Sequence, residues 1–164
     1  MRHPFPPVHR PDSRLLILGT MPSPASFEAG GYYGHPRNAF WRIMDELFGA
    51  GPDLTWRTRY DCLLDNGVAL WDVLASCERE GSADANILVP VPNNLDPMLG
   101  EARLRHLAFN GKTAASLFEK CVDPLASLRQ TIHILPSTSG AYPMPYEEKR
   151  DAWENALAEA EERA

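Results

Sequence analysis

From Gly30 to Trp41 the sequence gathers three glycines, Tyr32, Tyr33, His35, Arg37, Asn38 and Trp41 into twelve residues. Adjacent tyrosines on a glycine-rich loop suit stacking against a planar ring, and nearby basic side chains suit steering a phosphate. Capping the following helix would need only Asn38, and filling a core only Trp41. Those ordinary duties leave most of the segment unexplained.

Four other points carry polar residues directly after apolar runs. Thr20, Met21 and Ser23 stand in the turn Gly19-Thr-Met-Pro-Ser-Pro24, and Asp72 closes Val68-Ala-Leu-Trp71. Asn110 follows the run 105–109, and Ser137, Thr138 and Ser139 follow Leu135-Pro136. A carboxylate at position 72 can cap the next segment or accept a hydrogen bond from a ring N–H. Asn110 reads either as a turn residue before Gly111 or as an amide that reads a base. The Ser-Thr-Ser segment alone would be an ordinary polar turn. Paired with Thr20 to Ser23 at another strand end, it reads as a place to hold phosphates or enter a groove.

Other chemistries lack their residues. His3, His9, His106 and His133 have no metal-ligand spacing, and no Gly-x-Ser-x-Gly elbow is present. Gly111-Lys-Thr113 imitates the end of a phosphate loop, but His106 replaces the glycine that motif requires. Cys62, Cys77 and Cys121 are too few for a four-thiolate cluster and suit a reducing cytoplasm. No metal and no cofactor is expected.

The elements that must position these residues follow from hydrophobic spacing. Residues 14–19 read as a strand buried on both faces, being continuously apolar rather than alternating. Phe40, Ile43, Met44 and Leu47 recur at helical spacing after Asn38, up to Gly49. A helix over 55–65 points Tyr60, Leu63 and Leu64 inward, and 68–71 reads as the next strand. Residues 76–94 read mostly as loop, with brief pairing at Ile87-Leu-Val89. A strand over 105–109, a helix over 113–120 and a strand over 131–135 follow. A charged helix over 146–162 has Trp153 and Leu157 on its inner face, and residues 1–13 read as an extended tail. Strands alternating with helices predict a three-layer α/β/α sandwich with a short, mainly parallel central sheet, formed by residues 1–164 as a single domain. Such sheets bind ligands outside the carboxyl ends of their strands, where the polar residues above converge.

Composition bounds the reading. The 164 residues are 44% hydrophobic and 23% charged, a globular balance, and the apolar runs are far too short to span a membrane. The net charge of −6 sits largely on 147–164, with seven acids and three bases, whereas 1–45 has a net of +2. An acidic chain argues against broad polyanion binding, yet a local phosphate contact depends on the charge of the contacting face.

Leu16-Ile-Leu-Gly-Thr-Met-Pro-Ser23, Tyr32-Tyr-Gly-His-Pro-Arg-Asn-Ala-Phe-Trp41, Ala69-Leu-Trp-Asp-Val73 with Ser76-Cys-Glu-Arg79, and Leu135-Pro-Ser-Thr-Ser139 resemble one family. It is the hypoxanthine-DNA glycosylase branch of the uracil-DNA glycosylase superfamily, and the likeness is collinear from Arg14 to Trp153. The resemblance implies an α/β/α sandwich and a monofunctional, metal-free hydrolysis of the base–sugar bond in DNA. The partner would be double- or single-stranded DNA containing a deaminated base, hypoxanthine first and uracil next. Asn38 matches the asparagine that serves the attacking water. Tyr33, with Tyr32, Asp72, Asn110 and Met21, would meet the extruded base. Ser23, His35, Arg37, Ser137, Thr138 and Ser139 would face DNA. Asp72 stands where relatives carry an asparagine that reads uracil, and Gly140-Ala-Tyr142 departs from the Pro-Ala-Asn expected after the last motif. The setting implied is cytoplasmic and bacterial in type, at the nucleoid during repair. Two other classes stay open: a noncatalytic module holding a flipped or abasic nucleotide, and a nucleoside-processing enzyme that never meets DNA.

Overall fold

The computed structural model describes residues 5–78, 87–127 and 129–162. Four parallel strands form the central sheet: β1 (Leu15–Gly19), β2 (Val68–Asp72), β5 (His106–Asn110) and β6 (Thr131–Leu135), in the order β2-β1-β5-β6. Every residue of β1 is buried, which explains its unbroken apolar run. Leu15 and Ile17 enter one core with Phe40, Ile43, Met44, Leu63, Trp153 and Leu157. Leu16 and Leu18 enter a second core on the opposite face with Met98, Leu99, Ala114 and Phe118. Each Leu, Ile, Met or Phe among these, taken fully out of water, contributes about 1.5–3 kcal/mol.

Helices α2 (Phe40–Phe48), α3 (Trp56–Asp65) and α6 (Tyr146–Glu162) supply the first core, and α4 (Asp96–Leu99) and α5 (Lys112–Cys121) the second. The three-layer sandwich therefore stands. The tail folds back along β2: Val8 and Leu70 exchange two backbone hydrogen bonds of 2.9 Å.

Three segments differ from their sequence reading. Pro24–Ala29 forms a short helix, α1, because Ser23 caps it through a 3.2 Å bond from Ser26 N–H and a proline suits its first turn. Helix α2 begins at Phe40, and Asn38 caps it from two residues back: its Oδ1 accepts the Phe40 N–H at 3.0 Å. The region read mostly as loop contains β3 (Leu74–Glu78) and β4 (Leu88–Pro92), an antiparallel pair of irregular register. Pro90 and Pro92 disguise β4, and all five of its residues are exposed, so it carries no burial pattern to read. Arg79 lies outside the described residues. Among the described residues, no helix is long and apolar enough to cross a membrane.

Candidate active site

The sheet register brings the polar strand ends level. Gly19 sits opposite Asp72, and Asn110 opposite Leu135. Beyond this edge lies a cleft of about 570 Å³. Met21, Ser23, Tyr32, Tyr33, His35, Arg37, Asn38, Asp72, Asn110, Ser137, Thr138 and Ser139 all line it. These twelve residues, expected from the resemblance to serve the site, are thus brought to one place, although adjacency alone assigns none of them a role.

One wall is the loop of residues 30–39, held from several sides. Ser26 Oγ accepts the Gly34 N–H at 3.0 Å, and Trp56 Nε1 donates to the Ala29 carbonyl at 3.0 Å. Trp41 Nε1 donates to the Tyr32 carbonyl at 2.7 Å. These anchors hold Tyr33 in the left-handed region, at φ 57°, a conformation an L-residue with a bulky side chain seldom adopts.

The two tyrosines consequently part. The Tyr32 ring is only 2% exposed, and its hydroxyl donates to the Pro6 carbonyl at 2.7 Å. Burial, reinforced by the Asp72 carboxylate, pushes its phenol above the ordinary tyrosine range. Tyr33 remains partly exposed, with its ring 4.3 Å from that of Phe40. Both tyrosines line the cleft, but the ring of Tyr32 is packed into the core and Tyr33 keeps the more exposed one.

The floor is made by Asp72 and the tip of Tyr33 around Gly19. A Cβ on Gly19 would lie 2.7 Å from Asp72 Oδ1 and 2.9 Å from Tyr33 Oη. Only a glycine leaves room for both polar atoms to close over this strand end. Asp72 is 5% exposed, and Asn93 Nδ2 donates to its backbone carbonyl at 2.9 Å.

The opposite wall is the loop after β6. Asn110 Nδ2 donates to Thr138 Oγ1 and Asn110 Oδ1 accepts the Thr138 N–H, each at 2.9 Å. Neither sequence reading of Asn110 foresaw this bidentate tie. The Thr138 carbonyl in turn accepts the Ala39 N–H at 2.9 Å, so this wall is fastened to the turn that carries Asn38. Ser23 and Ser137 also have local duties: Ser23 Oγ caps α1, and Ser137 Oγ accepts the Ser139 N–H at 3.2 Å. His35 Nδ1 accepts the Arg37 N–H at 3.0 Å, and both residues sit at the rim.

Sequence reasoning missed three participants. Ser26 lines the cleft and braces Gly34. Tyr142 lines it from the exposed end of the last loop. Lys149 does not line the cleft, but its Nζ donates to the Ser139 carbonyl at 2.9 Å. Its only sequence signal is a lysine in the first turn of an acidic helix, which reads as a solvated face. Among the described residues, no group of three or more His, Cys, Asp or Glu is arranged to hold a metal ion.

The chain matches the profile of the uracil DNA glycosylase superfamily over residues 6–161. It is 32% identical over 155 residues to a hypoxanthine DNA glycosylase of Methanosarcina barkeri, covering 93% of this chain and 96% of that protein. A hypoxanthine DNA glycosylase of Methanosarcina acetivorans is 32% identical over 153 residues, 92% of this chain and 94% of that one. The solution NMR structure of a candidate uracil DNA glycosylase from Methanosarcina acetivorans superposes with a TM-score of 0.80 at 31% identity, over 97% of this chain and 98% of that one.

Proposed function

Because the chain belongs to the uracil DNA glycosylase superfamily, we propose that it excises hypoxanthine from DNA, with uracil as its secondary base. The enzyme is a DNA glycosylase, a hydrolase of the N-glycosyl bond. The observation that carries the base assignment is the buried Asp72 carboxylate at the cleft floor, level with Gly19 and beside Tyr33.

A carboxylate only accepts hydrogen bonds. The N1–H of hypoxanthine is flanked by O6 on one side and by a C–H on the other. The N3–H of uracil is flanked by two carbonyl oxygens, so a carboxylate that accepts from it meets repulsion on both sides. Asp72 therefore favours hypoxanthine. A duplex base must first leave the stack, which costs a few kcal/mol, less for a mispaired base. Tyr33 then supplies an aromatic surface in the cleft.

Hydrolysis joins a water oxygen to C1′ while the C1′–N bond breaks; the electron pair leaves with the base, which ends with the proton that the water gives up. Asn38 Oδ1 already accepts the Phe40 N–H at 3.0 Å. That bond orients the amide, and the second lone pair of Oδ1 is left to position the water. An amide has no titration near neutrality, so Asn38 orients the water without strongly activating it. Stabilisation of the departing base must supply much of the acceleration. His35 and Arg37 at the rim, with Ser139 across the cleft, suit the flanking phosphates. We place the enzyme in the cytoplasm beside the DNA it serves, a setting that suits Cys62, Cys77 and Cys121, none of which is in a disulfide.

The test is base release from labelled duplexes and single strands carrying one hypoxanthine, uracil or xanthine, with free deoxyinosine alongside. Hypoxanthine released from DNA but not from the nucleoside supports the reading. Binding without release would favour a noncatalytic module, and release from the free nucleoside would favour a nucleoside-processing enzyme.

A further inference from the structure

Lys149 is a buried cation, 4% exposed, that among the described residues forms no ion pair. It lies in the first turn of α6, where the helix dipole disfavours positive charge. Burial draws its pKa below the usual lysine value. Each of these conditions opposes placing an ammonium there, so its contacts must account for it.

Those contacts converge on one turn of the cleft wall. The Ser139 carbonyl accepts from Lys149 Nζ at 2.9 Å and from the Tyr142 N–H at 3.1 Å. The same ammonium lies 5.6 Å from the centre of the Tyr142 ring, within cation–π range. Tyr142 is 39% exposed and lines the cleft, whereas Lys149 does not reach it. One group therefore closes the 139–142 turn from beneath and supports the face of an aromatic ring at the rim.

We propose that Lys149 is a positioning residue that holds the 139–142 turn and presents the Tyr142 ring to the base stack of duplex DNA. Aromatic and apolar side chains that enter a stack help to unstack it, work that a single strand does not require. Lys149 thus serves duplex substrates in particular. This inference rests on the glycosylase reading above, and the test separates the two.

The experiment compares wild type, Lys149→Met, Tyr142→Ala and the double variant. Hypoxanthine release is measured from duplex and from single-stranded DNA, and 2-aminopurine fluorescence beside an abasic site reports unstacking on binding. Lys149→Met is expected to lose about tenfold or more of kcat/KM on duplex and less than about threefold on single strands. Its melting temperature should match or exceed that of wild type, since a desolvated charge is removed. Tyr142→Ala should show the same split, and the double variant should be no worse than either single one. Equal losses on both substrates, or undiminished duplex release, would overturn the proposal. Should Lys149→Met fail to fold, Tyr142→Ala decides by the same criterion. If wild type releases no base at all, the glycosylase reading fails. The fluorescence arm needs only binding and still judges Lys149, which is overturned if both variants unstack the duplex as wild type does.

Discussion

The side chain of Asn110 and residue Thr138 form a closed pair in which amide nitrogen meets hydroxyl and amide oxygen meets backbone N–H, each at 2.9 Å. Thr138 is fully buried, and its carbonyl continues the chain of bonds to the Ala39 N–H. The end of β5 thereby fastens the last loop, and that loop fastens the turn bearing Asn38.

Asn110→Ala leaves a buried N–H without its acceptor, and chemical denaturation should read a loss of about 2–3 kcal/mol. Asn110→Asp keeps an acceptor for the Thr138 N–H, and the Thr138 hydroxyl can rotate to donate to the carboxylate. Its stability loss should be less than half as large. Equal stability of Asn110→Ala and wild type would mean that the pair contributes nothing to the fold.

Asn38→Ala should lower hydrolysis by about a hundredfold or more while affinity for an abasic product stays within about threefold. Asn38→Asp keeps the acceptor for Phe40 N–H and adds a titratable base. Base release by this variant should therefore fall as pH drops through the carboxylate range, whereas that of wild type should not. Parallel loss of cleavage and binding in Asn38→Ala would reduce Asn38 to a structural cap.

Asp72→Asn exchanges an acceptor-only group for one that can also donate to a carbonyl oxygen. The ratio of hypoxanthine to uracil release should drop by about tenfold or more. An unchanged ratio in competition assays with mixed duplexes would remove Asp72 from base selection.

Gly19→Ala places a methyl 2.7 Å from Asp72 Oδ1 and 2.9 Å from Tyr33 Oη. Both must shift, at an expected overpacking cost of about 1–3 kcal/mol. Activity should suffer more than stability, with KM for hypoxanthine duplex rising, because the atoms displaced form the cleft floor. Thermal melts and steady-state kinetics on one preparation separate the two effects.

The sheet and the convergence of its polar ends were legible in the linear chain. Leu15 to Leu18 reads as a strand covered on both faces, since consecutive apolar side chains pointing alternately to opposite faces need two cores. Parallel strands of equal length then leave Thr20, Asp72, Asn110 and Ser137 at the same edge. Of the β3–β4 pair only the pairing near Ile87-Leu-Val89 was legible, because the prolines and full exposure of β4 erase the alternation that reveals a strand.

Which side chains of those segments serve the cleft was decided only by the tertiary structure. Tyr32 and Tyr33 are chemically alike and adjacent, and the left-handed turn imposed by surrounding hydrogen bonds sends only the first into the core. Asn110 finds Thr138 twenty-eight positions away, beyond the reach of any local pattern. Lys149 sits among charges that read as a solvated face, until the last loop folds across α6 and offers it a carbonyl. Periodicity is set by the local backbone and can be read along the chain. The partner of a polar side chain is set by loops that meet only after the sheet has formed.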